Sequence, residues 1–468
     1  MARKRLGFDS KFQLNKCNKR SKRDNNRISW LPDDILVNIL SYLSMKEAAR
    51  TTVLSSRWMN LWKHTTSSLD FRADNALARI RENYDLCSEE RRKYEEWVDR
   101  VIRSHKSVTL KEFSVCFDLG LSSQESITRW IEFAFTRHVQ KLDLDFSVKV
   151  KNKTSPRTHY TLPEEFLTRR TSGGNSCIDF KSLKELSLKC VNLTGQAIEF
   201  FLHNCPFLEK LVVHYTNKIS NLEVCGPSLV LKHLELMHCN YLESVKVSAP
   251  NLISLIGPNI DVLLLENVPM LKEVYINCMH YNDSVEKLLP TYSCCVSQLE
   301  ILTLQLNSHR KLGLGMHLTK VVLPTFPELT KLKKLVVSYW TDHDQSLMGL
   351  TPLIRASPNL QEFILELWMD DPSRSHRKVK NTTSQLPHHH LKVFKFCGYY
   401  GRSSDVELVR YILKNSVVLE KIIIDPFEPI LRDFELCGED LERIQIARGF
   451  AKQQLEARVP QRVELVIL

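Results

Sequence analysis

The sequence predicts an α/β solenoid, a parallel sheet built from one repeated short strand with helices on its outer face, preceded by a small helical module. Three observations predict it. A template Leu-x-x-φ-x-φ, with φ apolar, recurs along most of the chain. Helical stretches lie between its copies. An amphipathic, tryptophan-containing segment before residue 70 lacks the template.

The template is clear at Leu110-x-x-Phe113-x-Val115, Val139-x-x-Leu142-x-Leu144 and Leu183-x-x-Leu186-x-Leu188. It returns from Leu208, Leu231, Leu242, Leu271, Leu299, Leu332, Leu360, Leu391 and Leu419, with a partial copy at Leu252-x-x-Leu255. Most steps between copies are 19 to 33 residues, the period of leucine-rich repeats stretched by insertions. The φ-x-φ pair puts two side chains on one strand face. A single unit cannot bury that face, so copies must stack into a continuous core. Gln196–His203 and Val406–Leu413 have helical spacing, and Pro206 and Pro358 follow at points where a helix must stop. Cys239, just after the Leu231 strand, reads as a small buried side chain at the turn out of the strand.

Between residues 31 and 62 the pattern is helical. Pro32 suits a helix start, and Asp33 and Asp34 complement the positive helix end. Ile35, Leu36, Ile39, Leu40 and Leu43 then form an apolar stripe. Ser44-Met-Lys-Glu47 has the spacing of a capping box opening a second helix, and Leu54–Trp62 reads as a third. Three helices in about 40 residues cannot hide every apolar side chain internally, so the remainder should bind a partner.

The chain lacks the signatures of phosphate-loop, zinc-protease, nucleophile-elbow and dinucleotide sites. Glycine is scarce, 14 in 468 residues. Asp143 and Asp145 share a strand face, but Leu142, Leu144 and Phe146 claim the buried one, which leaves the aspartates on the solvated side. There is no C-x-x-C among the thirteen cysteines, and without a secretory signal they are expected to stay reduced. Cys294-Cys295 reads as a half-buried pair, and His388-His389-His390 has no acidic or cysteine partner nearby for a metal. No cofactor or metal site is expected, and no apolar run approaches a membrane span.

The formal net charge of +11 is concentrated at the start. Residues 1–27 hold ten basic and two acidic residues, a balance of +8, so only +3 falls to the remainder. The body therefore lacks the positive field of a nucleic-acid-binding domain. Lys19, Arg20, Lys22 and Arg23 form a candidate nuclear-import cluster in a solvated leader, and the expected location is nucleus, cytoplasm or both.

Leu31-Pro-Asp-Asp-Ile-Leu36, Ile39-Leu-Ser-Tyr-Leu43 and Val53-Leu-Ser-Ser-Arg-Trp58 with Leu61-Trp62 resemble the F-box of plant F-box/leucine-rich-repeat proteins. Ser44 stands where that family usually has proline, and the capping box can open the helix instead. Trp97–Ile102, Trp130–Phe135 and Leu162–Phe166 are similar to the family's connecting segments. The stretch from Leu391, with Val418–Ile422 and Ala451–Glu456, resembles its FBD domain. The resemblance covers about residues 26–468. It implies a basic tail (1–27), an F-box (28–70), a leucine-rich-repeat solenoid (71–385) and an FBD-like repeat section (386–468). It further implies a non-catalytic substrate receptor of an SCF-type cullin–RING ubiquitin ligase, with the repeats holding an unidentified target protein. Leu31, Pro32, Ile35, Leu36, Ile39, Leu40 and Leu43, helped by Val53 and Trp58, would face a Skp-type adaptor. The alternative is a repeat scaffold that binds protein or RNA without ligase activity; the ligase reading expects neither membrane nor nucleic acid.

Overall fold

The computed structural model describes residues 27–43, 45–65, 68–147, 159–168, 180–257, 262–278, 291–307, 328–341, 344, 346–369, 387–427 and 438–468. The chain forms two compact units, Met1–Thr65 and Thr66–Leu468. The nuclear-import cluster and Ser44 of the expected capping box lie outside the described residues.

Among its described residues the first unit has three short α-helices: α1 (Asp33–Leu40), α2 (Met45–Arg50) and α3 (Trp58–Leu61). Pro32 sits at the N-cap of α1, with Asp33 and Asp34 in the first turn. The third helix is shorter than expected. Thr51–Val53 is a 3-10 turn, and α3 begins only at Trp58. Ser55 and Ser56 lie between; serine competes with helix formation through local hydrogen bonds. Arg57 then reaches back to α1: its Nε donates to Asp33 Oδ1 at 2.7 Å and its Nη2 to the Leu31 carbonyl at 2.5 Å.

The second unit is built on one parallel sheet of fourteen strands whose spatial order is their chain order, from Ser68–Arg72 to Glu464–Ile467. The register aligns the template across neighbours. Phe113 lies opposite Leu142, Leu142 opposite Leu186, and Leu186 opposite Leu211; far along the sheet, Phe363 lies opposite Phe394 and Phe394 opposite Ile422. These side chains are buried, and burying each is worth about 1.5–3 kcal/mol. The leading leucine of the template closes a turn. The amides of Leu208, Leu332 and Leu360 donate to carbonyls three residues back, at Cys205, Leu329 and Ser357. One carbonyl per repeat then accepts two successive amides from the next, as Glu209 does from Lys232 and His233.

Helices Cys87–Ser104, Gln124–Thr136, Gly195–Asn204 and Ser403–Asn415 occupy connections between strands. The two tested by spacing are present, each slightly longer than the periodic core of its sequence. Trp97 and Trp130 from the connecting segments pack with Tyr94, which stacks on Phe117 at 4.1 Å.

Two details differ from the sequence expectation. The Leu242 copy is not in the main sheet. Val245 and Val247 lie in a separate parallel sheet of three strands, Asn221–Cys225, Ser244–Ser248 and Leu263–Glu266. It is the partial copy at Leu252 that supplies the main-sheet strand, Ser254–Ile256, with Leu255 opposite Leu234. The steps Leu231 to Leu252 to Leu271 leave too few residues for a helix of ordinary length, so a short strand makes each return. The expected boundary at residue 70 also cuts a strand: Ser68–Arg72 pairs with Glu112–Cys116, so Leu69 and Phe71 start the sheet. At the other end, Val393–Cys397, Lys421–Asp425 and Glu464–Ile467 continue the same sheet through the FBD-like section.

The turn after several strands sets a backbone requirement. Cys190, Tyr215 and His238 take positive φ there, as does Gly398 at 79°. Gly398 donates its amide to Asp425 O at 2.8 Å. Its carbonyl accepts from the Arg402 guanidinium at 2.6 Å, and Arg402 is buried with Asp405 at the start of helix Ser403–Asn415. A Cβ on Gly398 would stand 2.1 Å from the Leu367 carbonyl oxygen. Gly398→Ala is therefore expected to cost about 1–3 kcal/mol or more, read by calorimetry as a lowered thermal midpoint. An unchanged midpoint would contradict this account of the turn.

Candidate functional site

The apolar residues of the first unit divide into two stripes. Leu36 and Leu40 are buried with Ala48, Trp58 and Leu61, and Leu31, Val37, Leu43 and Trp62 pack partly buried against them. One residue along, about 100° around the helix, a second stripe faces solvent. Ile35 is 46% exposed, Ile39 42% and Tyr42 83%. Elsewhere in the unit Val53 is 86% exposed and Trp30 77%, and Leu54, Ile28 and Pro32 are also exposed.

This placement sorts the expected adaptor-facing residues. Pro32, Ile35, Ile39 and Val53 are on the surface, and Leu31 and Leu43 are at its border. Leu36, Leu40 and Trp58 are instead inside the unit, where they join the three helices. Trp30, Tyr42 and Leu54 were missed by the sequence reading. The offsets Ile35–Ile39–Tyr42 repeat those of Leu36–Leu40–Leu43, so a wheel drawn with both stripes would have found Tyr42.

The sheet of the second unit offers a different surface. Its solvent face carries cross-strand ion pairs: Glu112–Lys141 at 2.7 Å, Asp145–Lys189 at 3.3 Å and Lys334–Glu362 at 2.9 Å. Asp143 and Asp145 lie on this face as expected, with Leu142, Leu144 and Phe146 buried. Glu300 bridges Lys272 and Lys333, which draw its carboxyl down to about 2. Glu235 is held between His214 Nε2 at 2.8 Å and His233 Nε2 at 3.3 Å, and these hydrogen bonds hold its carboxyl far below the ordinary 4.5. Beside them, Tyr215 and His238 stack at 4.5 Å.

The remaining candidates are structural. Burial pushes the Cys239 thiol up to about 11, and its Sγ lies 3.6 Å from Met237 O. Cys295 is buried, with its thiol pushed up to about 12, while Cys294 is exposed. His388 Nε2 meets the Tyr411 hydroxyl at 3.0 Å, and burial with Arg355 nearby lowers its pKa to about 4.

Two predictions follow from this geometry. Leu36→Ala should cost about 2–5 kcal/mol and expose residues 33–61 to hydrogen exchange, whereas Ile39→Ala should stay within about 0.5 kcal/mol of the parent. Similar exchange in both variants would refute the two-stripe assignment. Glu235 has a depressed folded pKa, so its stabilisation is present above about pH 4.5 and is lost as pH falls toward the folded value. The thermal midpoint of Glu235→Gln should lie below the parent's near neutral pH, with the gap narrowing steadily below about pH 4.5.

Comparison with known proteins agrees with both units. Residues 28–67 match the family model of the F-box domain, and residues 101–468 match that of the At1g61320/AtMIF1 LRR domain. The chain is similar to FBD-associated F-box protein At4g10400 of Arabidopsis thaliana, 28% identical over 430 residues, spanning 88% of this chain and 96% of that protein. It is also similar to the F-box/FBD/LRR-repeat protein At4g26340 of the same plant, 26% identical over 438 residues, spanning 86% and 92%. A small helical unit with an apolar outer stripe, a leucine-registered parallel sheet and these matches across both place the chain in the family of plant F-box/LRR-repeat proteins of the FBD type.

Proposed function

We propose that this protein is the substrate-recognition subunit of an SCF-type ubiquitin ligase. The F-box docks on a Skp-type adaptor, and through it on a cullin–RING core, while the repeats hold the protein to be modified. The observation that carries this reading is the outer stripe of the first unit. Ile35, Ile39 and Tyr42 are kept exposed beside a core formed without them. Exposed apolar side chains grouped in this way mark a surface meant to be covered.

In this role the chain needs no catalytic group of its own. A receptor raises the local concentration of the target's lysines near a ubiquitin-charged enzyme, and it does so by holding them in one place. A long sheet with continuous backbone pairing is stiff enough to keep that geometry. The Lys19, Arg20, Lys22 and Arg23 cluster would direct the protein to the nucleus, where its targets would be found.

Each exposed apolar side chain buried on docking is worth up to about 1.5–3 kcal/mol, and about 1.4 kcal/mol is tenfold in affinity. Ile35→Ala combined with Ile39→Ala should therefore weaken adaptor binding by roughly a hundredfold or more, measured by calorimetric titration with a purified Skp adaptor. Leu31→Ala with Pro32→Ala should abolish co-precipitation. Undiminished binding in both double variants would overturn the docking surface. Affinity purification with and without proteasome inhibition tests the rest: an adaptor, a cullin and a stabilised partner are expected, and a partner without adaptor or cullin would favour a scaffold.

A further inference from the structure

One region of the sheet's solvent face carries two tryptophans beside a carboxylate. Lys334–Thr341 and Glu362–Met369 are eight residues each, and they run beyond the neighbouring strand, whose last pairing sets Cys397 opposite Glu366. Their solvent-side rungs are, in order, Lys334–Glu362, Val336–Ile364, Ser338–Glu366 and Trp340–Trp368. The first is an ion pair. In the third, the Ser338 hydroxyl donates to Glu366 Oε2 at 2.7 Å. In the fourth, the two indole rings lie 6.1 Å apart at 54°.

Both tryptophans are half-buried, while Tyr339, Leu367 and Met369 beside them in sequence point inward. Indoles are therefore placed on the side of the sheet that does not form the core. Glu366 stands one rung below Trp368 on the same face, held by Ser338, and among the described residues it takes part in no ion pair. Glu112, Asp145 and Glu362 on that face each have a lysine, whereas Asp143 and Glu366 have no ion pair among the described residues. Two tilted indole faces, each negative at its centre, and a carboxylate on the same surface are complementary to a cation.

We propose that Trp340, Trp368 and Glu366 form a subsite for one cationic side chain, lysine or arginine, of the protein held on the repeats. The inference rests on the reading that the repeats hold a target. The cation would lie against the indoles and donate to Glu366, a charge-assisted hydrogen bond that adds to the cation–π attraction. The neighbouring Val336 and Ile364 would take the apolar part of the same segment.

The test uses the full chain with its seven tryptophans labelled as 5-fluorotryptophan and read by fluorine NMR. The probes are the N-acetyl methylamides of arginine, of lysine and of citrulline, the neutral isostere of arginine. The resonances of Trp340 and Trp368, assigned by Trp340→Phe and Trp368→Phe, should shift in a saturable way with arginine or lysine and stay in place with citrulline. Which of the two cations saturates first names the preferred residue. Glu366→Gln, a surface isostere that should leave circular dichroism unchanged, should weaken the cation titration by roughly fivefold to tenfold. Equal shifts with citrulline, no shift with either cation, or a Glu366→Gln titration matching the parent would overturn the subsite. Adaptor capture through Ile35 and Ile39 is read separately. A chain that fails that assay but passes this one keeps the subsite and loses the ligase reading.

Discussion

The structure of the larger unit depends on one constraint, the register of its parallel backbone ladder. Each strand must present its φ-x-φ pair at the height of the pair before it, or the interior column breaks. A one-residue slip would turn every inward leucine to solvent. The ladder enforces this at the strand entrance, where a single carbonyl such as Glu209 O or Lys333 O takes two successive amides of the next repeat. It enforces it again at the exit, where positive φ at Cys190, Tyr215, His238 and Gly398 turns the chain away. Between these two fixed points only a few residues remain, and their faces are thereby decided.

Much of this was legible in the sequence because period 2 is a strong signal when it recurs. The inward positions and the polar assignment of Asp143 and Asp145 follow from it, and the helices at Gln196–His203 and Val406–Leu413 follow from their own helical spacing. The illegible part has physical causes. Leu242-x-x-Val245-x-Val247 satisfies the template as well as any other copy, because a strand on the opposite layer also needs alternate apolar residues. Only the spacing around it distinguishes the layers. Leu69-Asp70-Phe71 and Leu465-Val466-Ile467 escaped because the leading leucine is missing, yet the edge strands pair in the same register.

The F-box stripe was legible only in part, for a different reason. Residues at i, i+1, i+4, i+5 and i+8 cover two faces of a helix, and hydrophobicity alone does not say which face meets a partner. Ile35 and Leu36 are equivalent on any hydropathy scale. They are separated by what α2 and α3 bring: Ala48, Trp58 and Leu61 close over Leu36 and Leu40, and nothing in this unit's core closes over Ile35 and Ile39. The same contacts explain how so short a unit keeps a defined shape. Arg57, which ties the entry of α3 to Asp33 and the Leu31 carbonyl, fixes the position of α1 under that small core.

These two units divide stability and recognition in the same way. Inward positions and backbone hydrogen bonds carry the fold, so the residues between them can change without touching it. That freedom erases any sequence rule for the solvent face, and it is also what makes exceptions there informative. Where a face position is occupied by Lys334 opposite Glu362, or Lys141 opposite Glu112, the pair satisfies itself. Such exposed pairs add little to stability. Where the occupants are Trp340, Trp368 and Glu366, the core does not require them, and among the described residues the carboxylate is in no ion pair. A side chain that the ladder does not require is free to serve recognition without any change to the fold.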